Sequence, residues 1–356
     1  MFFCNRVNFV YEPAIIFRKD EQWTYAREPL LRRMPDGTLV CFHYAGGKRE
    51  PSPDNVALIT RSRDDGVTWS NPEVMCRHDS RCVWPSELFT DTQRPFVAIH
   101  TFQYHGHYTE LRAFRSFTDD NGKTWSEPES FKGTPPNFSV RQGKVLSNGN
   151  IIFAIYWEEQ EGHFNWPSGD KFNSFPDWKF RSGVIRSTDN GATWTKHGYL
   201  TAPTNLWEPE LIELENGHLL MLIRCCGAGV LYRSESFDYG VTWSPAKPSD
   251  IPNPSTKLVM FKINGKIVLV SNMDKNRRQL SLWVSADNGK TWPTQKLLAE
   301  VPDEVPGVED IDEHFNQIPW ICYPHGFADD EQQLLYLATD SIDMHYLIKV
   351  PFADFI

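Results

Sequence analysis

Four dense apolar runs recur along the chain, and each begins directly at an Asp-Gly or Asn-Gly pair. They are DGTLVCFHYA (Asp36–Ala45), NGNIIFAIYW (Asn148–Trp157), NGHLLMLIRC (Asn216–Cys225) and NGKIVLVSNM (Asn264–Met273). Such pairs favour tight hairpin turns because their residues tolerate positive φ angles. An apolar run without polar alternation indicates a strand that is buried on both faces. The pattern therefore predicts an all-β protein in which these runs are the inner strands of small sheets.

A second pattern, Ser/Thr-x-Asp-x-Gly-x-Thr-Trp, occurs five times, and its copies end at Trp69, Trp125, Trp194, Trp243 and Trp292. In each copy the Asp can accept hydrogen bonds from backbone N–H groups of its own turn, and the Gly can take a positive φ angle. The Thr-Trp pair then begins the next strand, with the Trp ring packed on the sheet. We interpret the copies as structural turns and expect the functional residues to lie outside them.

The spacing of this repeat predicts the architecture. From Trp to Trp the copies lie 56, 69, 49 and 49 residues apart. About 50 residues is the length of a four-stranded antiparallel sheet with its loops, which is one blade of a β-propeller. The C-terminal stretch QQLLYLATDSIDMHYLIKVPF has strands without the repeat, and we expect the N-terminal AIIFRK to join them in a sixth blade. We therefore predict a six-bladed β-propeller formed by residues 1–356 as a single domain.

Composition and charge narrow the partners and the location. The net charge is −10, which argues against a nucleic-acid partner. No run of 18 apolar residues is present, so no membrane span is expected. The seven cysteines are an odd number without a Cys-x-x-Cys pair, which indicates free thiols in a reducing compartment. The segment MFFCNRVNFVYEPAIIF lacks the pattern of a signal peptide. We therefore expect a cytoplasmic protein.

The five turns resemble the Asp-box (BNR) repeats of the sialidase superfamily, whose members are six-bladed β-propellers, and the resemblance spans almost the whole chain. It implies five Asp-box turns and an exo-glycosidase that acts on a glycan or oligosaccharide. Such an enzyme removes a terminal acidic sugar, most simply sialic acid, with retention of configuration and without a cofactor or metal. A cytoplasmic enzyme of this kind would act on imported substrate, such as short oligosaccharides.

The resemblance also implies three arginines that hold the carboxylate of the sugar. In YAREPLL, Arg27 matches the first of them, although Glu28 stands where the family has Ile. In LWEPELIELENGHLLMLIR, Arg224 matches the second. In NRRQLSLWVSADNGKTW, Arg278 matches the third, with Arg277 as its neighbour.

The catalytic residues follow from the same resemblance. Tyr323 in WICYPHGF matches the nucleophile, and Glu208 in LWEPEL matches the residue that takes its proton. Asp54 in EPSPDNVALITRS matches the acid/base, with Glu50 as a competing candidate. If these roles hold, the three guanidinium groups should converge on the axis, and the hydroxyl of Tyr323 should lie within hydrogen-bond reach of Glu208.

Elementary chemistry explains why these residue types belong together. Sialic acid carries a carboxylate on its anomeric carbon, and guanidinium groups bind carboxylates with two parallel hydrogen bonds. An Asp or Glu nucleophile would be repelled by that carboxylate, whereas a neutral tyrosine that loses its proton to Glu208 would not. Sialidases are for this reason an exception to the usual pair of catalytic carboxylates.

Other features leave alternatives open. His100, His105 and His107 lie close together in HTFQYHGHYTELR and could protonate a leaving group, although an aromatic loop facing the ligand is the preferred interpretation over a metal site. Arg141 and Gln142 begin the third blade, where a contact with a ligand on the axis is plausible. The alternatives to a sialidase are another propeller glycosidase or a uronic-acid lyase that uses the histidines and Glu28, or a sugar-binding propeller without turnover.

Two further segments lie outside the repeats. The insertion Glu158–Trp178 is rich in aromatic, Gly and Pro residues, and such an insertion is expected to overhang a sugar site. The acidic segment Asp303–Phe315 is interpreted as a solvated charged loop.

Overall fold

The computed structural model describes residues 7–48, 50–103, 109–160, 178–302, 320–341 and 344–356. In chain order the strands of these residues are β1 (Asn8–Phe9), β2 (Ala14–Arg18), β3 (Ala26–Arg33), β4 (Leu39–Ala45), β5 (Val56–Ser62), β6 (Glu73–Cys76), β7 (Arg81–Phe89), β8 (Phe96–Gln103), β9 (Thr109–Phe117), β10 (Glu129–Ser130), β11 (Ser139–Val145), β12 (Ile151–Gln160), β13 (Trp178–Ser187), β14 (Thr195–Leu200), β15 (Leu206–Glu215), β16 (His218–Cys225), β17 (Val230–Ser236), β18 (Lys247–Pro252), β19 (Val259–Ile263), β20 (Lys266–Asn272), β21 (Gln279–Ser285), β22 (Thr294–Glu300), β23 (Ile321–Asp329), β24 (Leu334–Ser341) and β25 (Met344–Pro351). A 3-10 turn, Phe352–Asp354, follows β25. The described ranges hold no helix with the length and apolar character that crossing a bilayer requires.

The described strands form six antiparallel sheets arranged in a ring. Five sheets use strands that are consecutive in the chain, from β3–β6 to β19–β22, and β1 adds to the edge of the last of these. The first strand of each sheet contacts the first strand of the next, in the order β3, β7, β11, β15, β19, β23, and β23 contacts β3 again. This closed ring of innermost strands confirms the predicted all-β, six-bladed propeller.

The sixth blade is closed by the two ends of the chain. It has the order β23-β24-β25-β2, and β2, from the segment AIIFRK, pairs with β25 through Ala14 opposite Leu347. The predicted closure by the N-terminal strand is therefore confirmed. This blade has no Asp box because its third and fourth strands are not consecutive in the chain.

The apolar runs are the second strands of their blades and pair on both sides, so the prediction that they are inner strands is confirmed. They form β4, β12, β16 and β20, and their described residues are almost all buried because each blade packs between two others. The innermost strands instead carry charged residues at the axis, which is where the candidate site lies.

The Asp boxes are hydrogen-bonded turns between the third and fourth strands of five blades. In the third copy the hydroxyl of Ser187 donates to Asp189 at 2.7 Å, and the same hydroxyl accepts from the N–H of Gly191 at 2.8 Å. Asp189 also accepts from the backbone N–H of Thr193 at 2.8 Å. The equivalent bonds recur in the other four copies. Because the strands are antiparallel, these turns lie at the opposite end of each blade from the start of its innermost strand.

Trp194 provides a test of the packing role of these turns. It is fully buried, its indole N–H donates to the carbonyl of Gly191 at 3.1 Å, and its ring meets Phe131 and Phe153 edge-on. Trp194→Ala should leave a cavity and lower the free energy of unfolding by about 3–5 kcal/mol. Trp69→Ala, at a partly exposed box tryptophan, should cost clearly less. Urea unfolding of the two variants measures the two losses. Equal losses of unfolding free energy in Trp194→Ala and Trp69→Ala would contradict the anchoring role of Trp194.

Three histidines are buried without charge in and beside the sixth blade. His43 and His345 meet with their Nδ1 atoms 2.7 Å apart. His325 accepts from the backbone N–H of Leu31 at 2.9 Å and therefore donates from Nε2 to Glu87 at 3.0 Å. Burial lowers the pKa of His43 and of His325 to about 3 and that of His345 below its usual range. The charged groups nearest to them are Arg32, Glu87 and Lys257 around His325, and Lys19 and Arg27 around His345.

Acid should therefore destabilise the fold below the usual histidine pKa. As the pH falls through about 6.5 the unfolded chain takes up protons that the folded chain refuses, so each buried histidine removes about 1.4 kcal/mol of stability per pH unit. We expect the thermal midpoint to fall steeply between about pH 6.5 and 5, and less steeply in His43→Gln. His78→Gln, at an exposed histidine, serves as the control and should keep the wild-type slope. An unchanged slope in His43→Gln would refute this explanation.

Candidate active site

Three of the innermost strands begin with a β-bulge at a residue that precedes proline. Glu28, Glu208 and Tyr323 have φ angles of 48°, 47° and 53°. Regular pairing with the second strand is interrupted at each of them. Proline has no N–H for the ladder and is tolerated at a bulge. A positive φ is uncommon outside glycine and costs energy, so three such residues at equivalent positions indicate a functional site. All three lie at the end of the ring opposite the Asp boxes.

Arg27 is held beside Tyr323 by an ion pair and two aromatic rings. Its Nε donates to Oδ2 of Asp340 at 2.9 Å, and Asp340 is fully buried in β24. Its guanidinium carbon lies 4.5 Å from the ring centre of Trp320 and 4.7 Å from that of Tyr323. A guanidinium that stacks on rings and pairs with a carboxylate has little freedom to move.

Arg224 and Arg277 reach the same place through Ser255. The Nε of Arg224 donates to the hydroxyl of Ser255 at 3.3 Å, and Arg277 donates to the carbonyl of Ser255. Arg277 also donates to the hydroxyl of Tyr323 at 2.9 Å. Burial raises the pKa of Tyr323, and the charges of Arg277, Arg27 and Arg224 oppose that rise. Three arginines from different blades thus surround one buried phenol.

Arg278, the residue selected from the sequence, is placed differently. Its backbone N–H donates to Asp274 at 3.1 Å, and its guanidinium donates to the carbonyl of Pro302. Arg277 has a φ angle of 56°, and it is Arg277 whose side chain contacts Tyr323. The sequence match is thus displaced by one residue, because a turn before β21 decides which of two adjacent arginines faces the site.

Glu208 is the centre of a buried network of charges. Its two carboxylate oxygens accept from Arg141 and from Arg224. Arg141 also donates to Oε2 of Glu28 at 3.2 Å, and Nζ of Lys257 lies 3.8 Å from that oxygen. Burial would raise the pKa of Glu208, but Arg141 and Arg224 together lower it to about 2. Glu28, which replaces the Ile of the family, is compensated by two cations.

The expected hydrogen bond between Tyr323 and Glu208 does not form between these two described residues. The hydroxyl of Tyr323 accepts from Arg277, and Glu208 is bound by two guanidinium groups. A buried carboxylate is stabilised far more by charged donors than by a neutral phenol. The two side chains therefore share Arg224 as a charged neighbour and have no hydrogen bond between them.

Aromatic side chains support the arginines from one side. The guanidinium carbon of Arg141 lies 5.6 Å from the ring centre of Tyr156, and that of Arg224 lies 4.8 Å from Trp207. Phe180 contacts both rings, at 5.8 and 5.1 Å between centres. This wall restrains the cations and offers apolar faces of the kind on which sugars stack.

The two acid/base candidates lie on the loop between β4 and β5, at the same end of the ring as Arg27. Asp54 is exposed, and its backbone N–H donates to the hydroxyl of Ser52 at 3.3 Å. Glu50 is half-buried and faces Tyr25, whose pKa is raised by burial and by Glu50. Arg27 lies beside Tyr25 and opposes that rise. Glu50 thus faces Tyr25, which also neighbours Arg27, whereas Asp54 is exposed on the same loop.

Of the histidine group, only His100 lies in the described part of the chain. It is fully buried, and its Nδ1 is 2.9 Å from the hydroxyl of Ser139, so it belongs to the wall of the site. His105 and His107 lie outside the described residues, as do positions 161–177 of the insertion and the acidic segment Asp303–Phe315. Among the residues that are described, no cluster of His, Cys, Asp and Glu side chains is suited to hold a metal ion.

The sequence reasoning missed several members of the site. It gave Arg141 only a plausible contact with a ligand on the axis, and it did not single out Ser255, Lys257 or Asp340. A signal for the bulges was available, because Glu28, like the other two bulge residues, directly precedes proline. No local signal could have indicated Asp340, which lies 313 residues from Arg27 in the chain.

Comparisons with known proteins agree with this architecture. A family model described as a BNR repeat-like domain matches residues 37–336. A sialidase of Paraclostridium sordellii is 30% identical over 279 residues, which are 69% of this chain and 65% of that protein. A sialidase of Clostridium perfringens is 29% identical over 269 residues, which are 67% of this chain and 66% of that protein. This chain therefore matches slightly less than two thirds of the length of each.

A solved structure shows the same fold. The Hadza microbial sialidase Hz136 superposes with a TM-score of 0.72 at 18% identity, over 96% of this chain and 69% of that chain. The resemblance to the sialidase superfamily is thus confirmed for family and fold.

Proposed function

This chain belongs to the BNR repeat-like domain family, and from that premise we propose that it is an exo-glycosidase of the sialidase type. It hydrolyses a terminal acidic sugar, most simply sialic acid, from a glycan with retention of configuration. The observation that carries this proposal is the convergence of Arg27, Arg224 and Arg277 on the buried phenol of Tyr323. The sialidases among its relatives support it.

The charge of the site suits a substrate with a carboxylate on its reacting carbon. Three guanidinium groups in a buried site can bind such a carboxylate through charge-assisted hydrogen bonds. The same negative charge would repel an Asp or Glu nucleophile, so a neutral phenol is the better attacking group. Tyr323 is the phenol that these arginines surround.

Residues of this chain and one water molecule account for every bond and proton transfer of the proposed reaction. The oxygen of Tyr323 bonds to the anomeric carbon as its proton passes to Glu208, and the bond from that carbon to the leaving oxygen breaks as the general acid protonates the oxygen. Water then attacks the same carbon and gives its proton to the general acid, which is now a base. Tyr323 leaves and regains its proton from Glu208, so two inversions give net retention.

We assign the general acid to the loop between β4 and β5. Asp54 is the residue that the family resemblance indicates, but it is exposed and engaged with Ser52. Glu50 lies against Tyr25, next to Arg27, and is better placed to reach a leaving group at the arginine cluster. Comparing Glu50→Gln with Asp54→Asn would separate the two.

The function is tested by release of 4-methylumbelliferone from its α-glycoside of sialic acid, with the anomer of the first product read by proton NMR. Hydrolysis with release of the α-anomer supports the proposal. If the sialic acid glycoside is not turned over but a uronide or a sulfated sugar from a parallel panel is, the substrate would be assigned to another acidic sugar. Binding of such sugars without any turnover would instead favour a sugar-binding propeller.

We also propose a cytoplasmic location with imported oligosaccharides as substrate. The support is that the six cysteines in the described part of the chain are all free thiols, as expected in a reducing compartment. Fractionation of the native host, followed by immunoblotting, would test the location.

A further inference from the structure

We propose that Arg141, tethered by Glu28, is a positioning residue that holds one oxygen of Glu208 while the other oxygen takes the proton of Tyr323. This inference rests on the proposed function. It adds a fourth arginine to the three that would bind the substrate carboxylate, and it assigns a role to the carboxylate by which this chain departs from its family.

The geometry of Arg141 is that of a bridge between two carboxylates. It lies in the irregular start of β11, where pairing with β12 shifts between Val140 and Gly143, and it is 1% exposed. One terminal nitrogen donates to Oε1 of Glu208, and the other donates to Oε2 of Glu28 at 3.2 Å. A planar guanidinium held at both ends fixes direction as well as charge, which a single ammonium group would not.

Arg224 cannot perform the same task during the reaction. In this structure it donates to Oε2 of Glu208, yet the proposed function needs it for the substrate carboxylate. A substrate that draws Arg224 to itself removes one of the two partners of Glu208. Oε2 is then available for the proton of Tyr323, while Arg141 still holds Oε1. Because Glu28 anchors Arg141, the substrate carboxylate does not draw it away as well.

The charges of Glu28 and Glu208 are compensated by neighbouring cations. An uncompensated carboxylate in a buried anion site would be costly. Here two carboxylates, Glu28 and Glu208, are matched by Arg141, Arg224 and Lys257. Burial raises the pKa of the neighbouring carboxyl Glu210 to about 8, which favours its neutral form, so one positive charge remains in excess. The site can therefore accept a substrate carboxylate without losing the ionised form of Glu208.

The charges around Glu208 set the direction of the test. The groups whose charges act on Glu208 from the neighbouring elements are Arg141, Arg224, Lys257, His100 and Tyr156, and Arg141 and Lys257 in turn face the carboxyl groups of Glu28 and Glu210. Arg141 favours the ionised carboxylate, so removing Arg141 should raise the pKa of Glu208. The acid limb of the profile of kcat/KM against pH reports ionisation in the free enzyme and should move to higher pH.

The experiment compares Arg141→Met, Arg141→Lys and Glu28→Gln with the wild type. We expect Arg141→Met to lower kcat roughly 10- to 100-fold, part of the 10²–10⁴-fold that a positioned general base contributes, with KM nearly unchanged. The acid limb of Arg141→Met should shift to higher pH. Arg141→Lys should restore part of the kcat and part of the shift. Glu28→Gln should shift the acid limb less than Arg141→Met does. Arg115→Met is the control, because Arg115 is a buried arginine of the second blade that pairs with Glu129. It should lower stability without moving the limb.

An unmoved acid limb in Arg141→Met, with a loss of activity no larger than in Arg115→Met, would overturn the proposal and leave Arg141 a purely structural role.

If the wild type itself turns over no substrate, the proposed function is wrong. A measurement without ligand then still decides whether Arg141 stabilises the ionised form of Glu208. The free energy of unfolding that is lost in Glu208→Gln is measured from pH 6 down to the folded-state pKa of Glu208, about 2, in the wild-type background and in the Arg141→Met background. Glu208 has a lowered pKa, so its contribution disappears on acidification, and it should disappear at higher pH without Arg141. The same pH in both backgrounds would overturn the proposal.

Discussion

Tyr323→Phe is expected to lower the turnover of a sialic acid glycoside roughly 10³-fold or more, because the variant lacks the only oxygen proposed to attack the anomeric carbon. The phenyl ring can keep its contact with Arg27, whose guanidinium lies 4.7 Å from the ring centre. The hydrogen bond from Arg277 is lost. Binding of the free sugar acid should therefore persist while chemistry fails. Initial rates with the methylumbelliferyl glycoside, and calorimetry with sialic acid, measure the two effects separately.

Tyr336→Phe is the matched control for this variant. The ring of Tyr336 is fully buried in β24, and its hydroxyl donates to Asp65 at 2.8 Å, beside the first Asp box. Tyr336→Phe loses a phenol hydroxyl at the Asp-box end of the ring, opposite Arg27, Arg224 and Arg277, so its activity should stay within about threefold of wild type, since effects of distant sites are independent. Tyr323→Phe with more than a tenth of the wild-type rate would contradict the nucleophile assignment.

Arg277→Met should reduce kcat/KM about 10²–10³-fold, mainly through a higher KM, whereas Arg278→Met should change it less than about threefold. In the proposed complex Arg277 pairs with the substrate carboxylate beside Tyr323, and truncating one partner of a hydrogen-bonded charge pair costs roughly 2–5 kcal/mol. Arg278 instead donates to the carbonyl of Pro302. The two variants remove the same side chain from adjacent positions, so each is the control for the other. Full kinetic curves and unfolding midpoints for both are the measurement.

The reverse result is equally informative. A large rise of KM in Arg278→Met with a normal Arg277→Met would restore the residue that the family resemblance selected. It would mean that the turn before β21 differs in the substrate complex. Similar losses in both variants, accompanied by lower unfolding midpoints, would show that the turn is needed for folding and would contradict a separate role of Arg277 in binding.

Local parts of the fold could be predicted because their interactions are local. Every defining hydrogen bond of an Asp box joins residues no more than four apart, so the motif is sufficient to specify the turn. The pairing of Glu208 with Arg224 spans 16 residues within the hairpin β15–β16, and the family resemblance placed both residues in the predicted site. Arg278 was selected instead of Arg277 because neighbouring arginines in a turn cannot be distinguished without the backbone angles.

The number of blades and the closing strand thus follow from repeats and short spacings in the chain, and the candidate residues of the site follow from the family resemblance. The meeting of those residues does not, because ring closure brings Arg27 to Asp340 from opposite ends of the sequence. The ionisation of Glu208 depends on Arg141 and Arg224 from two blades and on the burial that all six provide. Local patterns determine turns and strands through short-range hydrogen bonds, whereas charge and proton affinity at the axis depend on long-range packing, which only the assembled propeller creates.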